Sequence, residues 1–337
     1  VLRLGAQEGS VVHELQPDCL VSGRVGNGVA DYGNMGDNEI PSGVVDGVWE
    51  TPATMNDTWA FKTSDHNWKS VGTLLHLLVD LAGKGVNYLL NVGPTAEGEI
   101  PAVSAERMRA IGDWLEVNGE AIYGTEPSPF PYSFDWGAVT VKGKKLFLMF
   151  KDWPGAEFRL HGLRSTVQKV YLLAEPGTAA EAAQEANAGG EHDMLRLSLP
   201  AKAPDENVSV VVLDLDGAPQ VEPLAMQQPD GTIRLIPSMA ERHGPTDDAI
   251  EIGQSGMTQN WYNTEHSLSW QFKVSRPGRF AVKVVTGSQR GLHVWEGGHR
   301  VMVGVGGDSL AGDLTADEAI RSAHAEYFPQ FATRLGE

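Results

Sequence analysis

The chain has 337 residues, 41% of them hydrophobic and 21% charged, which fits a globular protein of two or three domains with room for a sizeable core. Its formal charge of -18 argues against nucleic acid or an anionic membrane as partner, because a face for either must neutralise phosphate with Lys and Arg, whereas neutral sugars are compatible. The single cysteine, Cys19, excludes an intrachain disulfide, shows no metal spacing and, in the apolar run Cys-Leu-Val, reads as a small core residue.

No apolar run approaches the roughly 20 residues of a membrane helix, and no basic-then-apolar leader opens the chain. The first residue is Val, and Leu15-Gln-Pro-Asp18 runs straight into a strand-like segment, so the chain is expected to start inside a domain. Cys19 to Ser22 predicts a short buried strand and Val44 to Trp49 a second. Ser70 to Ala82 predicts a helix with Leu74, Leu75, Leu77, Leu78 and Leu81 on its apolar face, stopped by Gly83 and Gly85. Val86 to Val92 then reads as a third buried strand, Gly93-Pro94 as a breaker, and Ser104 to Val117 as a helix capped by Ser104 and ended by Asn118-Gly119. Strands alternating with helices imply parallel pairing.

After about Pro129 the pattern changes to alternating strands without helices, at Ala138 to Val141, Lys145 to Phe150, Val167 to Leu173, Leu195 to Leu199 and Val208 to Leu213. These describe an antiparallel β-sandwich over 129–216. Gly177 to Gly190 reads as a mobile loop or short helix. A Pro- and Gln-bearing linker from about Gly217 leads to a second sandwich-like β-rich module over 222–337, with strands near Thr232 to Ile236, Leu268 to Val274, Phe280 to Val285 and Val301 to Val305, and a helix over Thr315 to Leu335. Its Trp261, Tyr262, Trp270 and Trp295 either stack on sugar or pack a core. No phosphate loop, zinc spacing or EF-hand loop occurs, so no metal or organic cofactor is expected.

The chemistry-bearing run lies between Arg24 and Trp68. It holds Arg24, Asp31, Asp37, Glu39, Trp49-Glu50, Asn56-Asp57, Trp59 and Trp68 among many glycines. A sugar is a ring of hydroxyls with one apolar face, so its site needs carboxylates and amides for hydrogen bonds and an aromatic plate for the C–H face. A long polar loop bearing tryptophans is the competing reading.

Seven blocks in order carry a resemblance. They are Pro17-Asp-Cys-Leu-Val-Ser-Gly-Arg24, Gly36-Asp-Asn-Glu-Ile-Pro41, Trp49-Glu-Thr51, Thr58-Trp59, His66-Asn-Trp-Lys-Ser70, Gly85-Val-Asn-Tyr-Leu-Leu-Asn-Val-Gly-Pro94 and Asn118-Gly-Glu-Ala-Ile-Tyr-Gly124. Together they resemble the C-terminal half of the catalytic domain of family 29 α-L-fucosidases. The resemblance implies a (β/α)8-like barrel followed by a β-sandwich, and retaining hydrolysis that releases terminal L-fucose from glycans through a fucosyl-enzyme intermediate. Residues 1–128 would then be the last three strands of the barrel, with Arg24, Glu39, Trp49 and Trp59 at or past C-terminal strand ends, where such barrels keep their chemistry.

By that resemblance Glu39 is the general acid/base, which must protonate the departing oxygen and then deprotonate water. Arg24 would hold the ring-oxygen and hydroxyl region of the sugar, and Trp59 would pack beside its methyl group. Asp37 is a hydrogen-bonding neighbour or plain surface charge, Trp49 and Glu50 support the site from the second strand, and His66 with Trp68 borders the leaving-group side. Asn91 reads as structural.

The departure from the family is at the front, since a retaining enzyme needs a second carboxylate about 5 Å from the acid/base, and no Asp in a Trp-Phe-Asp-like context precedes Leu15. Either the natural protein is longer, the preferred reading, or copies associate to cover the open barrel and supply a carboxylate. If neither holds, the chain is a non-catalytic carbohydrate binder or an inactive remnant. Secretion or periplasmic placement is expected only from where polymer-degrading fucosidases usually work.

Overall fold

The computed structural model describes residues 10–186, 192–246, 250–288 and 297–337. They fall into two compact units, Val1–Lys273 and Val274–Glu337. The 222–273 stretch is therefore continuous with the unit that contains the first region.

The first unit begins with helical residues 10–15 (α1) and two single 3-10 turns, Gly23–Val25 and Asn27–Val29. No strand forms over Cys19–Ser22. The Val21 N–H is taken by the Asp31 carboxylate at 2.6 Å rather than by a strand partner, only Ser22 bridges Tyr32, and Leu20 is 72% exposed. A three-stranded parallel sheet follows, ordered β1 (Gly33–Asn34), β2 (Trp49–Thr54) and β3 (Val86–Asn91). β2 starts where the sequence reading placed its end. Gly47 bends the chain in the left-handed region (φ 90°), so the extended run begins at Trp49. Pro52 is tolerated in this central strand because the two-residue β1 has already ended beside it, and its carbonyl accepts from the Asn38 N–H of the following loop at 2.8 Å.

Helix α2 (Val71–Gly83) is capped by the Ser70 hydroxyl, which accepts from the Thr73 N–H. It buries Leu74, Leu75, Leu77, Val79 and Leu81, each contributing about 1.5–3 kcal/mol by leaving water. Helix α3 (Ala102–Asn118) begins two residues before the expected cap. Pro101 occupies the cap position, and the buried Ser104 hydroxyl donates to the Val92 carbonyl beyond β3 at 3.2 Å.

From residue 130 the chain builds a second core. A period-two aromatic run, Phe130, Tyr132, Phe134 and Trp136, feeds into two antiparallel sheets. One has β4 (Gly137–Lys142), β5 (Lys145–Phe150), β10 (Ser209–Leu215) and β7 (Val167–Leu172) in that order. The other orders β6 (Glu157–His161), β9 (His192–Ser198) and β8 (Glu181–Ala186). Val139, Leu146, Leu148 and Leu213 of the first sheet share one apolar core with Phe158, Leu160, Leu195 and Leu197 of the second. The Ala/Glu-rich stretch expected as a loop or short helix is thus partly a strand, β8, while residues 187–191 lie outside the described ones.

The rest of this unit contains short pairs: β11 (Ala225–Met226), β12 (Glu241–His243), the hairpin β13 (Glu251–Ile252) and β14 (Thr258–Gln259), β15 (Ser267–Ser269) and β16 (Phe272–Lys273), with β11 on β16 and β12 on β15. Residues 232–236, expected as a strand, form none.

The second unit, taken by itself, has a sheet ordered β17 (Val282–Gly287), β21 (Gln330–Gly336) and β20 (Glu318–Ala319), and the hairpin β18 (Arg300–Val305) and β19 (Asp308–Asp313). The helix expected over Thr315 to Leu335 does not form. The Thr315 N–H bonds the Thr333 hydroxyl and the Arg334 N–H bonds the Asp317 carboxylate, tying the two ends of the stretch side by side, and only His324–Glu326 makes a 3-10 turn. No helix among the described residues is long and apolar enough to cross a membrane.

Candidate active site

Glu39 lies in the loop that leaves the C-terminal end of β1 and runs along the C-terminal half of β2. The Met35 N–H continues the ladder to the Glu50 carbonyl at 2.9 Å, and the Gly36 N–H turns back to the Asn34 side chain. Asn38 adopts a left-handed φ of 60°, which lets its backbone bond Pro52 and its side-chain oxygen accept from the Thr54 N–H at 2.9 Å. The fully buried Thr51 hydroxyl then donates to the Glu39 carbonyl at 2.9 Å. These bonds fix Glu39 against β2, and the residue keeps only 9% of its exposure while Ile40 after it is fully buried. Glu39 is therefore not a solvated loop glutamate.

Arg24, from the first 3-10 turn, forms an ion pair with Asp37, two residues before Glu39. Asp37 is thus the arginine's partner. Both remain about half exposed, so the guanidinium is anchored with donors left to offer. Glu50 accepts at one oxygen from the Ser22 hydroxyl at 2.9 Å and from the Asn34 amide at 2.8 Å, binding the turn before β1, β1 and β2 together. Asp31 joins the same side: the Val21 N–H, then the nearby His13 ring, outweigh desolvation and hold its carboxyl below the ordinary range.

The loop after β2 carries the aromatic candidates. Asn91 at the end of β3 donates to the Trp59 carbonyl at 2.7 Å, and Trp59 is 39% exposed. Asp65 braces the loop by accepting from the Thr58 hydroxyl at 2.8 Å and from the N–H groups of Asp57 and Asn67 at 3.1 Å. Burial pushes its carboxyl up, but these donors together outweigh it and leave it below the ordinary aspartate range. His66 is exposed on this loop, whereas Trp68 is half-buried under the Arg107 guanidinium, 5.9 Å above its ring.

Trp49 stands elsewhere. It is the first residue of β2, about five residues' rise or 16 Å from the strand's C-terminal end, not at that end as expected. Its indole N–H donates to the Asp46 carbonyl at 2.6 Å and its ring fills the space over Gly33. Of the aromatics farther along, Trp270 donates to the Ile236 carbonyl, Trp261 is exposed, and Trp295 lies outside the described residues.

The positions that reasoning from sequence passed over are Asn38, Thr51 and Ser42. The sequence does carry a signal for Asn38, since Asn is the side chain that best tolerates a left-handed turn. Thr51 and Ser42 act only through contacts made by the fold. Among the described residues no group of His, Cys, Asp and Glu side chains is arranged to hold a metal ion.

Residues 5–120 match the family model described as alpha-L-fucosidase. The human tissue alpha-L-fucosidase is 34% identical over 130 residues, 36% of this chain and 28% of the relative. Among solved structures, an alpha-L-fucosidase from Vibrio sp. strain EJY3 is similar over 99% of this chain and 57% of its own, with a TM-score of 0.80 and 25% identity. Alpha-L-fucosidase isoenzyme 1 from Paenibacillus thiaminolyticus is similar over 63% of this chain and 53% of its own, with a TM-score of 0.55 and 28% identity. The chain thus spans little more than a quarter of the human relative and just over half of these two structures.

Proposed function

We propose, from the premise that residues 5–120 are α-L-fucosidase family sequence, that the chain carries the acid/base side of a glycoside hydrolase site that releases terminal L-fucose from glycans. The single observation that carries this reading is Glu39, a residue taken out of bulk water and held by its backbone carbonyl to the parallel strand β2, two residues beyond the aspartate that anchors Arg24. In this reading β1 to β3 with α2 and α3 are part of a (β/α)8-like barrel over residues 1–128, the strands of 129–216 form a β-sandwich, and the β-rich remainder divides into 222–273, which belongs to the first unit, and the separate unit 274–337.

The chemistry follows from the groups present. Glu39, protonated, donates to the glycosidic oxygen as the bond from that oxygen to the anomeric carbon breaks. As a carboxylate it then takes a proton from the water that attacks the same carbon. Arg24, fixed by Asp37, directs its remaining N–H donors at the sugar's oxygens, and the half-exposed Trp59 offers a face for its apolar edge. His66 borders the side of the leaving group. Trp49 acts from the opposite end of β2 by packing β1 in place. A retaining route also needs a carboxylate nucleophile, and that role is assigned to no residue of this chain.

The test is release of chromophore from an aryl α-L-fucoside by the parent chain and by Glu39→Gln. Turnover that falls at least about a hundredfold in Glu39→Gln, the scale of acid/base assistance, supports the reading. A folded parent with no turnover overturns it in favour of an inactive remnant or a non-catalytic carbohydrate binder, and equal turnover in both removes Glu39 from the chemistry.

A further inference from the structure

We propose that the hairpin segment Glu251–Tyr262 forms the rim of the Glu39 site that receives the leaving-group sugar, with Trp261 and Tyr262 as its stacking surface; this rests on the glycosidase reading above. The hairpin is joined directly to the site loop. The Ser42 N–H donates to the Ser255 carbonyl at 2.7 Å and the Ser42 hydroxyl to the Gly256 carbonyl at 3.0 Å. Ser42 is three residues beyond Glu39 on the same clamped strand-end loop.

The fit at that contact is close. Gly256 has a φ of 72°, and a Cβ there would lie 2.5 Å from the Ser42 Oγ, so only glycine lets the hairpin turn sit against Ser42. From another direction the Ile236 side chain packs on Gly43, where a Cβ would meet it at 2.6 Å, and Ile236 is itself held by the Trp270 indole. Ile236 and the Ser255–Gly256 turn therefore grip the site loop at two adjacent residues, Gly43 and Ser42.

The same hairpin then displays its aromatics. Asn260, left-handed at φ 57°, turns the chain as it leaves β14, and its amide donates to the Glu251 carboxylate across the hairpin at 2.8 Å. Trp261 and Tyr262 follow at 49% and 84% exposure, with the tyrosine hydroxyl 3.4 Å from the Asn260 side-chain oxygen. Two large rings in succession, left in water on a braced turn, give up burial that a core position would supply. A sugar ring's C–H face recovers it.

Reach and charge select the occupant. Four residues lie between Gly256 and Trp261, at most about 18 Å of chain, so the rings are within span of an oligosaccharide that continues past the cleaved oxygen of a sugar at Glu39. A chain charge of -18 disfavours an anionic glycan, so the occupant proposed is a neutral one.

The experiment compares kcat/KM for a fucosylated neutral oligosaccharide with that for an aryl α-L-fucoside in the parent, Trp261→Ala, Tyr262→Ala and the double variant. The ratio of the two constants is expected to fall about tenfold in the double variant, equivalent to about 1.4 kcal/mol, chiefly through KM for the oligosaccharide. An unchanged ratio overturns the proposal. A parent inactive on the aryl fucoside overturns the glycosidase reading alone. In that case calorimetric titration with the same oligosaccharide decides: binding lost in the double variant upholds the rim, and binding equal in both or absent from the parent refutes it.

Discussion

The Arg24 guanidinium is paired with the Asp37 carboxylate, joining the turn before β1 to the loop after it. Both side chains are about half exposed, so water screens the pair and its share of stability is small, within about 1 kcal/mol. Its effect lies in orientation, because an unanchored arginine samples many rotamers before it can meet a ligand. Asp37→Asn should therefore leave the melting temperature within a few degrees of the parent and raise KM for an aryl α-L-fucoside severalfold. A large fall in melting temperature with KM unchanged would assign the pair to structure.

Asn38 holds the Glu39 loop by two means, a left-handed backbone and a side-chain bond to the Thr54 N–H, and two substitutions separate them. Asn38→Gly keeps the backbone at ease and loses the bond, at a cost of about 1–3 kcal/mol for the unpaired group. Asn38→Ala loses the bond and adds about 1–2 kcal/mol of left-handed strain. Urea unfolding should thus rank the alanine variant below glycine, and glycine below the parent. Equal stability of the two variants would mean that the loop simply relaxes.

How much of this was legible beforehand depends on whether the determining contact is local. Ser70 and the leucines of α2 announce their helix because cap and stripe lie within one segment. Glu39 and Arg24 stand in recognisable sequence blocks, yet the bond that holds the Glu39 backbone comes from Thr51, on a strand that starts several residues later than the sequence pattern predicts because Gly47 turns the chain first. The absence of a strand at Cys19–Ser22 follows from the Asp31 carboxylate capturing the Val21 N–H, a tertiary choice that no window around Val21 contains. Residues 315–335 failed as a helix for a related reason: Thr315 and Asp317 bond to Thr333 and Arg334 of an added strand, and that pairing outweighs local preference.

Glu222 is a buried carboxylate, 7% exposed at its side chain, between Arg164 at 2.7 Å and Lys273. Desolvation raises its pKa, but the Lys273 bond, the Leu224 N–H and Arg164 together outweigh that cost and hold it below the usual glutamate value. A carboxyl lowered in the folded state stabilises fully above its unfolded value, near 4.5, and loses that contribution as pH falls through the lower folded value. Glu222→Gln should cost about 1.5–3 kcal/mol at neutral pH, the scale of a lost charge-assisted hydrogen bond, because Arg164 and Lys273 are exposed enough for water to take over part of the counter-charge. The difference between parent and variant should shrink below about pH 4. A constant difference from pH 7 to pH 3 would show that shape, not charge, sets the effect.

Trp49 and Gly33 pack so closely that a Cβ at position 33 would lie 2.2 Å from the indole ring. Gly33→Ala must then displace the ring, together with its bond to the Asp46 carbonyl, or push β1 away from β2. Either route should cost about 1–3 kcal/mol. In a Trp49→Ala background the obstacle is gone, and the added methyl should cost less than about 0.5 kcal/mol, so the two changes couple strongly in a double-mutant cycle read by urea midpoints. Equal costs in both backgrounds would remove Trp49 from the packing of β1 and reopen a role for it in holding sugar.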